Sequence, residues 1–293
     1  MTAIVRTVSA LRAQISAWKR EGRRIAFVPT MGDLHEGHLS LVRRGQELCE
    51  RSVVSIFVNP TQFGPNEDFE TYPRREAEDA AKLGAVGADL LYAPAIAEIY
   101  PEGFATTIRV GGVTETLEGA IRPGHFDGVA TVVAKLLNQV QPDIACFGEK
   151  DYQQLKLVEK LVRDLNLPVA IEPCPIARDT DGLALSSRNR YLDAGQRRIA
   201  GRLNRILFAT AAAIEKGWNA AAPNQLAGCL AAGIDSIRAA GFDSVDYLAA
   251  VDAETLAPVE TLQKKSRLLV VARLGATRLL DNCALTPPAA AKG

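Results

Sequence analysis

The chain has 293 residues, 47% of them hydrophobic, and 34 Lys and Arg set against 34 Asp and Glu. That is enough apolar chain to fill the core of one large domain or two ordinary ones, and the balanced charge removes the global basic field that holds nucleic acid or an anionic membrane, so any anion site must be local. There is no run of about 18 apolar residues to span a bilayer, and five widely spaced cysteines (Cys49, Cys146, Cys174, Cys229, Cys283) without a CxxC pair point to reduced thiols of a cytoplasmic protein instead of a disulfide or zinc framework.

Val8, Leu11, Ile15 and Trp18 recur at three- and four-residue spacing ahead of Gly22, which predicts an amphipathic helix with a glycine stop. Charges within that stretch interrupt the apolar core a signal peptide needs. The period then changes. Short apolar runs at 23–28, 52–58, 88–93, 143–148 and 169–174 alternate with helix-like segments at about 37–50, 74–84, 126–140 and 151–165. The alternation predicts an α/β fold: a Rossmann-like, doubly wound parallel sheet over residues 1–175, with ligands outside the carboxyl ends of the strands. Beyond it, alanine-rich helices at 194–216 and 222–240 and strands at 244–251 and 267–274 predict a smaller α+β C-terminal domain over 176–293, ending in a frayed TPPAAAKG tail.

The chain has only three histidines, and PTMGDLHEGH (29–38) holds two of them, His35 and His38. The turn closes the predicted strand 23–28 and opens a helix, where main-chain N–H groups and the helix dipole attract phosphate. Three residues apart, the two rings face one way, and Gly37 between them leaves room for a close approach. A helix-capping histidine and a zinc pair are the alternatives, the second lacking an obvious third ligand. FGEKDYQQL (147–155) also closes a strand and opens a helix, bringing Lys150, Asp151 and Gln154 to the same sheet edge, unless its charges form only a solvated turn. DGLALSSRN (181–189) offers two hydroxyls and a guanidinium suited to phosphate oxygens, or else a serine cap for the helix starting near Ala194. VNPTQFGPNEDFETYP (58–73) is long enough for a binding loop, and its Asn59 and Gln62 can hold hydroxyl and carboxylate groups without adding charge. Arg122 and His125 in IRPGHFDGV are either a further anion contact or a turn and its cap. No Walker A, GxGxxG or HExxH pattern occurs.

HxGH after the first of these runs and a serine-rich basic loop after the last resemble the HIGH and KMSKS signatures of the adenylate-forming nucleotidylyltransferase superfamily. More closely, PTMGDLHEGHLSLV, VNPTQFGPNEDF with TYPR, RPGHFDGV, FGEKDYQQL and DGLALSSRNRYL, in that order over 29–192, resemble the pantothenate synthetase (pantoate–beta-alanine ligase) family. Position 185 is Leu where many members carry Met, and the KMSKS lysines are absent, as is usual in the family.

The resemblance implies an ATP-dependent, AMP-forming ligase that joins (R)-pantoate and beta-alanine through pantoyl adenylate. It implies catalytic roles for His35, His38, Lys150 and Arg188, with His38 the family's proton donor. ATP contacts are implied along Met31, Gly32, Asp33, Leu34, His35, Glu36, Gly37 and His38, along Gly148, Glu149, Lys150 and Asp151, and at Ala177, Leu185, Ser186, Ser187 and Arg188. Gln62 and Gln154 match the family's pantoate contacts, and Asn59 is placed with them. Mg²⁺ is implied as the companion of ATP without a protein metal site, as are a homodimer joined through the N-terminal domains and a mobile C-terminal lid. The competing expectations are another HxGH nucleotidylyltransferase with a phosphate acceptor and a noncatalytic nucleotide sensor.

Overall fold

The computed structural model describes residues 2–65, 67–216, 224–260, 262 and 264–286. The chain divides into two compact units, Met1–Glu149 with Gln153–Pro175 and Lys150–Tyr152 with Ile176–Gly293. The first unit runs β1 (Ala3–Val5), α1 (Val8–Arg20), β2 (Ile25–Thr30), α2 (Glu36–Leu48), β3 (Arg51–Ile56), α3 (Glu76–Ala85), β4 (Leu90–Tyr92), α4 (Ile96–Ile99), α5 (Glu118–Ile121), α6 (His125–Val140), β5 (Ile144–Gly148), α7 (Tyr152–Asp164) and β6 (Ala170–Cys174). Its six strands form one parallel sheet in the order β1-β4-β3-β2-β5-β6.

The five apolar runs become the five strands β2 to β6, and alternation assigns their faces. Ala26, Val28, Val54, Leu91 and Cys146 pack with Leu41 and Val42 of α2 and Leu83 of α3 on one face. On the other, Tyr92 donates to Gln139 of α6 at 3.1 Å, and Arg51 lies over the Trp18 ring of α1. Helices therefore cover both faces, as the alternating pattern predicts. α1 begins on its Thr7 cap, buries Leu11, Ile15 and Trp18, and is followed by Gly22 in a left-handed conformation.

The order in which strands are added reverses between β2 and β5. After β2 the chain builds β3 and β4 to one side, then crosses to build β5 and β6 on the other. The register of β2 with β5 covers only Ala26/Ile144 and Phe27/Ala145, whereas its pairing with β3 continues to Thr30/Ile56. Pro29 has no N–H to give to a ladder, and it lies beyond the β5 pairing. The carboxyl ends of β2 and β5 thus form the switch point at which open α/β sheets bind ligands.

The second unit holds α8 (Ala194–Ala200), α9 (Arg202–Lys216), α10 (Asn224–Ala239), β7 (Ser244–Asp252), β8 (Ser266–Leu274) and β9 (Thr277–Leu285), the strands forming an antiparallel sheet in sequence order. Leu203, Leu207, Ile214, Leu226 and Ile237 of the helices pack on Leu248, Leu268, Val270 and Leu279 of that sheet. The helix expected over 194–216 is broken at Gly201. Residues 222–223 of the next helix and 287–293 of the expected frayed tail lie outside the described residues. All five cysteines are free thiols. Among the described residues, no helix is long and apolar enough to cross a membrane.

Candidate active site

The turn from β2 into α2 is closed at its helix end by its own two histidines. His35 is the N-cap of α2, with extended backbone (φ −128°, ψ 176°). Its Nδ1 accepts the Gly37 N–H at 3.1 Å, and Nδ1 of His38 accepts the His35 N–H at 3.3 Å. The rings stand 4.1 Å apart, tilted by 34°. The result is a capping box made by two imidazoles. A neutral ring that accepts through Nδ1 carries its proton on Nε2, so both histidines are Nε2–H tautomers. Capping and anion donation, alternatives when the sequence alone is considered, are compatible here because they use different nitrogens.

The same geometry revises the expectation of open main-chain donors at this turn. The Gly32 N–H goes to Thr30 Oγ1 at 3.2 Å, and the Asp33 and Leu34 N–H groups go to the Asp79 carboxylate at 2.8 Å each. The Gly37 and His35 N–H groups are held by the rings as well. Met31 is half-buried, Gly32, Asp33 and Leu34 are buried, and Glu36 is exposed and paired with Arg43.

Asn59, Gln62 and Met31 form a second group. Asn59 is 1% exposed. Its Nδ2 donates to Gln62 Oε1 at 3.0 Å and to the Gly128 carbonyl at 3.2 Å, while its Oδ1 accepts from Thr61 and from Tyr100 Oη at 2.8 Å. Gln62 Nε2 rests 3.2 Å from the Met31 sulfur. A Cβ on Gly128 would stand 2.3 Å from the Thr61 carbonyl oxygen, so only glycine lets α6 approach the Pro60–Gln62 turn this closely. Asn59 thus acts inside the fold as the anchor of Gln62.

Arg122 and His125 brace the same loop. His125 Nδ1 donates to the Gln62 carbonyl at 2.8 Å, its Nε2 accepts from Arg122 at 3.1 Å, and Arg122 forms a two-pronged pair with Glu67 at 2.6 and 2.5 Å. Burial, and then the Arg122 charge, push the His125 pKa down to about 4, which keeps the ring neutral and the tautomer fixed. At the other strand end, Gly148 and Glu149 are half-buried. Gln153 is buried and gives its amide to the Val113 and Thr116 carbonyls at 2.8 Å each. Gln154, beside it, is half-buried.

In the second unit, Lys150 has Asp151 3.7 Å away, and its carbonyl accepts from Asn282 Nδ2 at 2.9 Å. Ala177 and Leu185 are joined by a 2.9 Å hydrogen bond from Leu185 N–H, and Arg178 grips Asp281 with bonds of 2.7 and 2.8 Å. Ser186 caps a short turn over Ser187–Tyr191, its Oγ accepting the Arg188 N–H at 3.3 Å. The cap of α8 is Asp193, so the serines are not the cap of that helix.

Asp79 and Asp281 are supporting residues that lie outside every sequence block. Asp79 had a signal in the sequence: it falls in the apolar stripe of α3 four residues before Leu83, where an acid needs a partner. Asp281 had none, because its partner Arg178 is 103 residues away.

A family model described as pantoate-beta-alanine ligase matches residues 3–284. The chain belongs to the pantoate-beta-alanine ligase family. Pantothenate synthetases of Paramagnetospirillum magneticum and Rhodospirillum rubrum are 57% and 56% identical to it, over 97% and 95% of this chain and 98% and 97% of theirs. The crystal structure of pantothenate synthetase from Thermus thermophilus superposes with a TM-score of 0.90 at 48% identity, covering 98% of this chain and 100% of that one. A pantoate-beta-alanine ligase from Francisella tularensis, solved in complex with beta-gamma ATP and beta-alanine, superposes with a TM-score of 0.80 at 33% identity over 99% of this chain and 100% of that one. For a pantoate-beta-alanine ligase, the fold and the ligase class implied by the five sequence blocks are both met.

Proposed function

We propose that the protein condenses (R)-pantoate with beta-alanine to pantothenate, in the cytoplasm and as a homodimer. A pantoate carboxylate oxygen attacks the α-phosphorus of ATP, the bond from that phosphorus to pyrophosphate breaks, and pantoyl adenylate forms. The amine of beta-alanine then attacks the acyl carbon, and AMP leaves. A carboxylate becomes a competent electrophile only when one of its oxygens belongs to such a leaving group.

The observation that carries the residue assignment is the engagement of Nδ1 of both His35 and His38 in the cap of α2, from which their shared tautomer is inferred. With each Nδ1 engaged in the cap of α2, two Nε2–H donors are preorganised at the switch point, which is the arrangement that stabilises charge growing on phosphate oxygens. Gln62, its Oε1 fixed by Asn59, offers N–H donors whose partner among the described residues is a thioether, a weak acceptor that a hydroxyl or carboxylate oxygen of pantoate replaces. Gln154 joins it at the pantoate, and Asn59 acts through Gln62.

Lys150, Ser187 and Arg188 meet the departing pyrophosphate, with Ser186 holding their turn, and the second unit serves as a lid. Mg²⁺ offsets the remaining triphosphate charge. That ion is held by phosphate oxygens and water. The test is pantoate-dependent exchange of labelled pyrophosphate into ATP without beta-alanine. Exchange is expected, whereas ADP as the nucleotide product contradicts the assignment. Sedimentation at micromolar concentration should show a dimer, and a monomer there contradicts that part of the assignment.

A further inference from the structure

The peptide that leads into His35 is held from outside its own motif. Gly32 and Asp33 both take left-handed backbone, with φ of 85° and 50°, and successive N–H groups in such a turn converge on one point as an anion-binding concavity. Here the anion belongs to the protein. Asp79 Oδ2 accepts the Asp33 N–H and Oδ1 the Leu34 N–H, each at 2.8 Å, from a side chain that is 0% exposed. Lys82, on the same helix, donates to the Leu34 carbonyl at 2.6 Å and lies 3.8 Å from Asp79. A Cβ at position 32 would stand 3.2 Å from Asp79 Oδ2, so the turn is shaped around the carboxylate. α3 therefore grips both main-chain polar groups of Leu34, the residue before His35. Packing α3 on the sheet requires only an apolar side chain at 79. A buried carboxylate there is costly unless it is fully hydrogen-bonded.

We propose that Asp79 is a positioning residue for adenylate formation, fixing the peptide ahead of His35 so that both imidazoles keep their capping geometry and present Nε2–H to the nucleotide phosphates. Lys82 is its partner in that hold. The proposal rests on the assignment of His35 and His38 to ATP.

With only three histidines in the chain, ¹⁵N spectroscopy of the imidazoles reads the hold directly. The wild-type protein should give two Nε2–H tautomers, His35 and His38, and one Nδ1–H tautomer, His125. Asp79→Asn replaces one acceptor oxygen by an NH₂ group facing an N–H donor. The His35 and His38 signals should shift while His125 stays in place, and pantoate-dependent pyrophosphate exchange should fall by about 10²-fold through kcat, the usual scale for a misplaced catalytic group, with pantoate KM within about twofold. If Asp79→Asn does not fold, Lys82→Met replaces it as the test, since that side chain is 40% exposed. Loss of one charged hydrogen bond should then lower exchange about tenfold.

Unshifted His35 and His38 signals in folded Asp79→Asn, or a wild-type exchange rate in Lys82→Met, would overturn the role of Asp79. Shifted signals with exchange lost in His38→Ala alone would overturn it as well. Shifted signals with wild-type exchange in both Asp79→Asn and His38→Ala would instead overturn the assignment of the histidines on which the proposal rests.

Discussion

Asn59 donates to Gln62 Oε1 over 3.0 Å, and this turns the Gln62 amide nitrogen toward the Met31 sulfur, 3.2 Å away. One buried amide thereby decides which end of another is presented. Asn59→Ala should raise pantoate KM about tenfold or more, the scale of one lost oriented hydrogen bond, and destabilise the fold by about 1–3 kcal/mol, because Tyr100 Oη, Thr61 and Gln62 lose their partner. Gln62→Ala should reproduce the kinetic effect with little loss of stability. Steady-state kinetics with each substrate varied, together with urea unfolding, check both. A raised ATP KM with unchanged pantoate kinetics contradicts the assignment.

His38→Ala and Lys150→Ala should each lower pyrophosphate exchange by about 10²-fold, the typical effect of removing one preorganised donor. His38→Ala also removes one arm of the α2 cap, worth about 1 kcal/mol, so its melting point should fall only slightly. Near-wild-type exchange in either variant removes that residue from the mechanism.

The parts of this molecule legible in the sequence are those fixed by local pattern. Five of the six parallel strands appear as apolar runs: β2 to β5 because strands buried on both faces are largely apolar, and β6, an edge strand in which only Cys174 is buried, through the apolar residues that open it. β1 escapes because it is three residues long and its residues lie mostly exposed at the sheet edge. β9 escapes because Asp281 and Asn282 interrupt its apolar run. They are buried yet satisfied, by Arg178 and by the Lys150 carbonyl. The histidine turn was legible in its composition. The Nδ1 caps are local but depend on how each ring is turned, and the diversion of the Asp33 and Leu34 N–H groups to Asp79 depends on contacts 46 and 45 residues apart in sequence; composition records neither. The same holds for Arg122 and His125: either a turn or an anion contact was open from sequence, and their bonds to Glu67 and the Gln62 carbonyl make them a brace.

His125 carries a pH signature. Its folded pKa lies near 4, against 6.5 for the ordinary group, with Arg122 on one side and Glu67 and Glu118 facing the same cluster. Between these values the unfolded chain binds the proton and the folded protein does not, so the contribution to stability is full above about pH 6.5 and lost as pH falls toward 4. At most it amounts to about 3 kcal/mol. Urea midpoints of wild type and His125→Gln across this range should converge as the pH falls. A constant difference contradicts the buried neutral ring.

Arg178 and Asp281 hold the segment that leads to Ser186, and the Asp281 side chain is only 2% exposed. Asp281→Ala should cost about 3 kcal/mol, since it leaves a guanidinium without its buried partner. A thermal melt equal to wild type contradicts the role given to this pair.

In the proposed reaction the pantoate carboxylate itself attacks the α-phosphorus of ATP. Pantoate labelled with ¹⁸O in its carboxylate tests this most directly, by mass analysis of the nucleotide released when beta-alanine is present. The oxygen that bonds to phosphorus stays there when the amine attacks the acyl carbon, so AMP should carry one ¹⁸O atom per turnover. Unlabelled AMP, or ADP with labelled inorganic phosphate, would contradict it even if pantothenate were formed.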